Sequence, residues 1–243
     1  MLEEKNEELE EEKFYKKNNR NPFFKYQKIE KDIVVRKIFL FSISKKDYVC
    51  AYTPQGGLKK LTLLGENKLK FFPGFLRTCQ VGEDRMIVIE NLTQEFCMFV
   101  ANPDGLTFSV TKLESPPTKE RQAASSVNVD DNYIFLIGGE HRSSEKFLKT
   151  VALYNIAKNI WTEDMPKLNK KAKLASACHI GGSIYVIGGF DPDKNYPCGV
   201  EKLNLEDLAR GEAKWELIED KSLWYWFFPV FFGRICPIVA PIS

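Results

Sequence analysis

Histidine is almost absent from this sequence: His141 and His179 are the only two in 243 residues. A metal site needs several His, Cys or carboxylate ligands converging on one point, so two separated histidines leave metal chemistry little to work with. His179 stands just before Gly181-Gly182, where a packed or hydrogen-bonded core role is expected. His141 stands in a polar stretch with Glu140, Arg142 and Glu145, a single ligand and not a set. The chain also lacks a P-loop, a Gly-x-Ser-x-Gly elbow, a His-Glu-x-x-His pair and a Gly-x-Gly-x-x-Gly turn. No catalytic residue, metal ligand or cofactor is expected from these absences.

A charge excess is missing too. Lys plus Arg number 35 against 33 for Asp plus Glu, a net charge of +2, which gives no electrostatic footprint for nucleic acid. The six cysteines show no Cys-x-x-Cys pair or framework spacing. The first residues, MLEEKNEELEEEK, hold no apolar stretch of the kind a secretory signal requires. Free thiols and a cytoplasmic location are the corresponding expectations.

What is abundant is aromatic. Eighteen Phe, nine Tyr and four Trp favour strands, because flat side chains pack well on a half-buried pleated surface. Residues 1–21 differ in kind. Glu and Lys dominate there, and Leu2 and Leu9 stand seven apart. That suits a short charged helix, the tail end of a coiled coil, or a solvated lead-in. Asn21-Pro22 breaks it. From residue 22 to 218 the chain reads as short apolar runs punctuated by turn residues, with no long helical periodicity. Lys37–Ile43, Arg85–Glu90, Tyr133–Ile137 and Ser183–Ile187 are such runs, and this pattern indicates an all-β architecture.

A repeat selects among all-β folds. Tyr133-Ile134-Phe135-Leu136-Ile137-Gly138-Gly139 returns as Ser183-Ile184-Tyr185-Val186-Ile187-Gly188-Gly189. Val151-Ala152-Leu153-Tyr154-Asn155 and then Trp161 follow the first glycine pair. Val200-Glu201-Lys202-Leu203-Asn204 and then Trp215 follow the second. A basic residue precedes each module, Arg121 and Lys171. The arrangement of hydrophobic strand, Gly-Gly pair, spaced Tyr and spaced Trp resembles the kelch repeat, with Leu203 where the Tyr would stand. The resemblance implies four-stranded blades of a kelch-type β-propeller. Gly138, Gly139, Tyr154, Trp161, Gly188, Gly189 and Trp215 are then architectural residues.

The resemblance is well marked over 121–218 and degenerate over 33–120, where strand order and spacing persist without the glycine pairs. About four blades are expected, a partial array, since kelch rings usually close with six or seven. Open blade faces would favour self-association. The tail from 219 to 243 is apolar and aromatic but carries Arg234 and three prolines, which count against a membrane anchor.

A binding function follows from the resemblance. Propeller partners engage rim loops, and the loops after the glycine pairs offer His141, Arg142, Phe190, Asp191, Asp193 and Tyr196, with aromatic and Arg side chains of the hot-spot type. A non-catalytic scaffold for a protein or peptide partner is the reading preferred here. The alternative is an enzyme of the galactose-oxidase type, which shares the propeller. Its copper site needs tyrosine and histidine ligands that cannot be assembled from these two histidines.

Overall fold

The computed structural model describes residues 38–41, 48–53, 57–64, 76–90, 95–117, 121–191, 196–197 and 199–218. The 1–21 lead-in with its helical and coiled-coil readings, the 219–243 tail and Asp193 lie outside them. Strands make up more than half of the described residues, with one short helix, and fall in four successive sets.

The first set is β1 (Ile38–Phe41), β2 (Tyr48–Thr53) and β3 (Gly57–Leu63); the second is β4 (Leu76–Val81), β5 (Arg85–Glu90), β6 (Phe96–Ala101) and β7 (Thr107–Lys112). The third begins with β8 (Arg121–Gln122), β9 (Ser125–Val129) and β10 (Tyr133–Ile137). It continues with β11 (Glu140–His141), β12 (Lys146–Phe147), β13 (Val151–Asn155) and β14 (Ile160–Thr162). The fourth holds β15 (Ser176–Ile180), β16 (Ser183–Ile187), β17 (Phe190–Asp191), β18 (Tyr196–Pro197), β19 (Val200–Asn204), helix α1 (Leu205–Arg210) and β20 (Glu216–Ile218).

The third and fourth sets are the same object. Each is an antiparallel four-stranded meander, β9-β10-β13-β14 and β15-β16-β19-β20, with a small hairpin, β11–β12 or β17–β18, set off after the glycine pair. The second set is also a four-stranded meander, β4-β5-β6-β7. The first set extends it edge to edge, because β3 pairs in parallel with β7 (Thr62 with Thr107, Leu63 with Phe108). The array of blades expected from the repeat is therefore present, and its first set joins through an edge instead of a face.

Strand β10 shows why the glycine-flanked run is continuously apolar. All five of its residues are buried. Tyr133, Phe135 and Ile137 point toward the fourth set and pack with Ile184, Val186, Leu203 and Trp215. Ile134 and Leu136 point the other way, against Ile87, Phe96 and Tyr154. A strand buried on both faces has no polar side to alternate with. Each such side chain contributes roughly 1.5–3 kcal/mol of burial free energy.

The inner strands β4, β9 and β15 lie side by side and are stitched by polar contacts. Arg77 Nε donates to Ala124 O at 2.7 Å, and Ser125 Oγ donates to Ala175 O at 2.5 Å. Asp131 Oδ1 accepts from Gly82 N at 2.8 Å and from Asn128 Nδ2 at 2.7 Å, and Asn128 also reaches Gln80 O at 2.7 Å.

The register corrects one detail of the repeat. Ser125 pairs with Ile137 and Ser176 with Ile187, so the inner strand is displaced by one residue more than its neighbour. The cause is the turn: Val129 and Tyr133 bracket three residues, whereas Ile180 and Ser183 bracket the two-residue Gly181-Gly182 turn. The counterpart of Arg121 is consequently Ala172, and Lys171 does not repeat its role.

The connection before Trp215 contains helix α1, an addition to the strand order expected from the sequence. Its signals were local. Asn204 Oδ1 caps Glu206 N and Asp207 N, the first turn is acidic, and Gly211 ends the helix at φ +77°. Leu205 and Leu208 are buried in the seam between the third and fourth sets.

Candidate functional site

The glycine pairs define one end of each blade. At Gly138 (φ +63°) and Gly139 (φ +95°) the chain leaves β10 in a left-handed conformation. A Cβ on Gly138 would stand 2.4 Å from Ala172 O, and one on Gly139 would stand 2.6 Å from Gln122 O. Only glycine allows so close an approach of three backbone segments. The β11–β12 hairpin then projects, anchored by Leu148 N donating to Gly139 O at 2.8 Å and Gly139 N to Ala172 O at 2.7 Å.

Arg121 fastens this junction from inside. It is 2% exposed. Its guanidinium donates to Gly138 O at 3.1 Å, Thr150 O at 3.0 Å and Thr150 Oγ1 at 2.8 Å. Burial pulls its pKa down to about 10, with Glu163 acting in the opposite direction, so it remains a cation at neutral pH. Its work is to hold carbonyl oxygens at the base of the hairpin.

A second cluster joins the two hairpins. Lys173 Nζ lies 2.8 Å from Glu140 Oε2, 4.3 Å from the Phe147 ring centre and 5.9 Å from that of Phe190. The two rings are 5.9 Å apart. Lys173 and Phe190 also exchange backbone hydrogen bonds, Phe190 N to Lys173 O at 2.8 Å and Lys173 N to Phe190 O at 3.4 Å. An ammonium between a carboxylate and aromatic faces is stabilised by both. Phe190 is thus half-buried in the seam between neighbouring blades.

The other expected rim residues divide. His141 is half-buried in β11, with Nδ1 3.3 Å from Ser143 Oγ. Arg142 is exposed at the hairpin tip. Asp191 and Tyr196 face each other across β17 and β18. The structure therefore brings His141 and Arg142 together on one hairpin and places Phe190 in the adjoining seam. Lys173, Glu140 and Phe147 were not singled out in the sequence, since Lys173 is one of three lysines between positions 170 and 173 and nothing local marks it.

The aromatic residues of the repeat pack on the seams between sets. Tyr154 is fully buried, packs edge-on to Phe96 at 4.7 Å and lies 5.0 Å from Trp161. Its hydroxyl donates to Asn159 Oδ1 at 2.6 Å, and Trp161 Nε1 donates to Glu114 O at 2.8 Å across the seam to the second set. Trp215 lies on the next seam, with Nε1 donating to Pro166 O at 3.0 Å. Leu203, in the Tyr place, is fully buried there.

His179 lies on β15, its Nδ1 4.0 Å from Asp130 Oδ1. Burial lowers its pKa and Asp130 opposes that shift. Among the described residues no three His, Cys, Asp or Glu side chains converge to hold a metal ion. Cys50, Cys79, Cys97 and Cys178 are free thiols.

Comparison with known proteins finds a motif on the fourth set. Residues 172–222 match the family model of the Kelch motif. A Rho GTPase-activating protein of Dictyostelium discoideum, gacHH, is 28% identical over 140 residues, which cover 55% of this chain and 9% of that protein. The chain thus spans less than a tenth of that relative's length. The solved structure of YjhT is 18% identical with a TM-score of 0.43, over 49% of this chain and 35% of that one. Residues 172–222 thus carry a Kelch motif, matched on the fourth set, and the third set repeats its strand order, glycine pair and seam aromatics.

Proposed function

We propose that this chain is a non-catalytic, cytoplasmic interaction module that binds a protein partner through the hairpins at the Gly-Gly end of its blades. The observation that carries the reading is the contrast within the β11–β12 unit. Its base is locked by Arg121 and the glycine pair, while Arg142, Ser143, Ser144, Glu145 and Lys146 at its tip are exposed. Adaptable side chains on a rigid base suit recognition, because little ordering entropy is lost on binding. Among the described residues no helix is long and apolar enough to cross a membrane.

The test uses the full chain as bait against a variant in which residues 142–145 are replaced by Gly and Ser at equal length. A partner retained by the parent and lost by the variant, with far-UV circular dichroism unchanged, supports the reading. Equal retention by both would remove the hairpin from the interface. Bound copper together with alcohol-oxidase turnover would overturn the non-catalytic part.

A further inference from the structure

The chain is nearly neutral, yet its charges are sorted between the two ends of the blades. At the Gly-Gly end, Arg142, Lys146 and Lys149 lie on or beside the β11–β12 hairpin, and Lys167, Lys170 and Lys171 lie in the connection from β14 to β15. Hydrogen bonds hold these two segments against each other. Leu168 N donates to Lys149 O at 2.9 Å, Ala172 N to Leu148 O at 3.4 Å, and Lys149 Nζ to Asn169 O at 2.5 Å. Arg142, Lys146, Lys149 and Lys167 are exposed.

The carboxylates nearby do not cancel this surface. Glu140 is committed to Lys173. Glu201 is buried beneath the connection, where it accepts hydrogen bonds from Asn169 N, Asn169 Nδ2 and Lys170 N. Glu145, Glu163 and Asp164 are exposed and interrupt the basic surface. The opposite end is acidic. Its turns and helix carry Glu83, Asp84, Asp130, Asp131, Glu206 and Asp207 against Arg85, Lys158 and Arg210, and Arg85 and Arg210 are ion-paired with Asp84 and Asp207.

We propose that the paired loops at the Gly-Gly end of the third set dock a carboxylate-rich peptide segment of a protein partner. This rests on the rim-binding reading above and adds the chemistry of the occupant. Ammonium and guanidinium groups on two adjoining loops attract and orient carboxylates, and they speed encounter. The interspersed Glu145, Glu163 and Asp164 would repel a continuous polyphosphate, but they leave gaps that a mixed acidic segment accommodates. That distinction favours peptide over nucleic acid.

The test is fluorescence anisotropy of the full chain with a labelled peptide of alternating Glu and Ala, beside its Gln-for-Glu counterpart. The Glu peptide binds and the Gln peptide does not. Raising salt from ~0.1 M to ~1 M, which shortens the Debye length from ~10 Å to ~3 Å, abolishes binding. The K146E/K167E double variant weakens binding about tenfold, the sum of two lost attractions and two added repulsions at exposed sites. Glu206→Lys at the opposite end leaves it unchanged. Should the double reversal fail to fold by circular dichroism, K146Q/K167Q replaces it, with about a threefold loss expected.

Equal binding of the peptide by parent and variants, or no binding at all, overturns the proposal. So does tighter binding of an RNA oligonucleotide or of phosphatidylserine vesicles. If the peptide fails while a partner is still lost on replacing residues 142–145, only the carboxylate chemistry falls. If that replacement loses no partner, the rim reading falls as well.

Discussion

Gly138 and Gly188 occupy the same place in successive blades and have nearly the same backbone, φ +63° and +67°. Replacing each by alanine separates two costs that usually come together. A non-glycine residue in the left-handed region costs about 1–2 kcal/mol, and both variants carry it. Loss of glycine's freedom in the unfolded chain returns about 0.4–1 kcal/mol, again in both. The variants differ in contact. The new methyl at 138 would stand 2.4 Å from Ala172 O, a backbone atom, whereas no described atom lies within 4 Å of the one at 188. Ala172 O also accepts from Gly139 N at 2.7 Å, so it cannot retreat without losing that bond. Overpacking of this kind costs about 1–3 kcal/mol. Gly188→Ala should therefore destabilise by about 1 kcal/mol and Gly138→Ala by about 3 kcal/mol. With urea m-values of about 1–3 kcal/mol/M, the two midpoints should differ by about 1 M at 25 °C. Coincident midpoints would show that the 172–173 connection does not press on the glycine pair, and would refute the account of why this motif is needed.

Other outcomes follow from single contacts. Tyr154→Phe keeps the seam packing and loses the hydroxyl bond to Asn159, so chemical denaturation should show a loss of about 1 kcal/mol; Tyr154→Ala should cost about 3–5 kcal/mol. Burial pushes the thiols of Cys79 and Cys97 up to about 11 and raises that of Cys178. Iodoacetamide at pH 8 should therefore modify half-buried Cys50 before these three, as peptide mapping would show. His179 is held below its usual 6.5 by burial, so the unfolded chain takes up its proton first as pH falls. Its contribution to stability is complete above 6.5 and declines as pH drops from there through the folded-state value. In His179→Gln the slope of stability against pH over that window should be reduced; an unchanged slope would locate the titration elsewhere.

The fold was legible where a residue's environment is set by its own strand. Tyr133–Ile137 is apolar throughout because it is buried on both faces, and that property shows in sequence. The glycine pairs were legible for a similar reason, since φ near +60° to +95° leaves few other residues. What escaped depends on partners distant in the chain. The edge pairing of β3 with β7 involves two register pairs between strands of ordinary composition. The one-residue shift that moves the counterpart of Arg121 to Ala172 comes from turn length, which a count along the sequence does not reveal. At the rim, Arg142 was visible as an exposed cation. The inward packing of Phe190 was not, because it is decided by Lys173 and Phe147. Helix α1 is marked in the sequence by Asn204 and Gly211, but its six residues between two strands are too few to show a helical period.

The edge pairing of the first two sets bears on solubility. An outermost strand with unpaired amides is a template for another molecule's backbone, and its danger grows with its length. In the third and fourth sets that strand is short, three residues each in Ile160–Thr162 and Glu216–Ile218. In the second set it is six residues long, Thr107–Lys112. That is the strand whose first residues are occupied by β3 of the same chain. The first set therefore acts as a partial intramolecular guard, covering Thr107 and Phe108 at the start of the longest outer edge among these three sheets with a strand that cannot diffuse away.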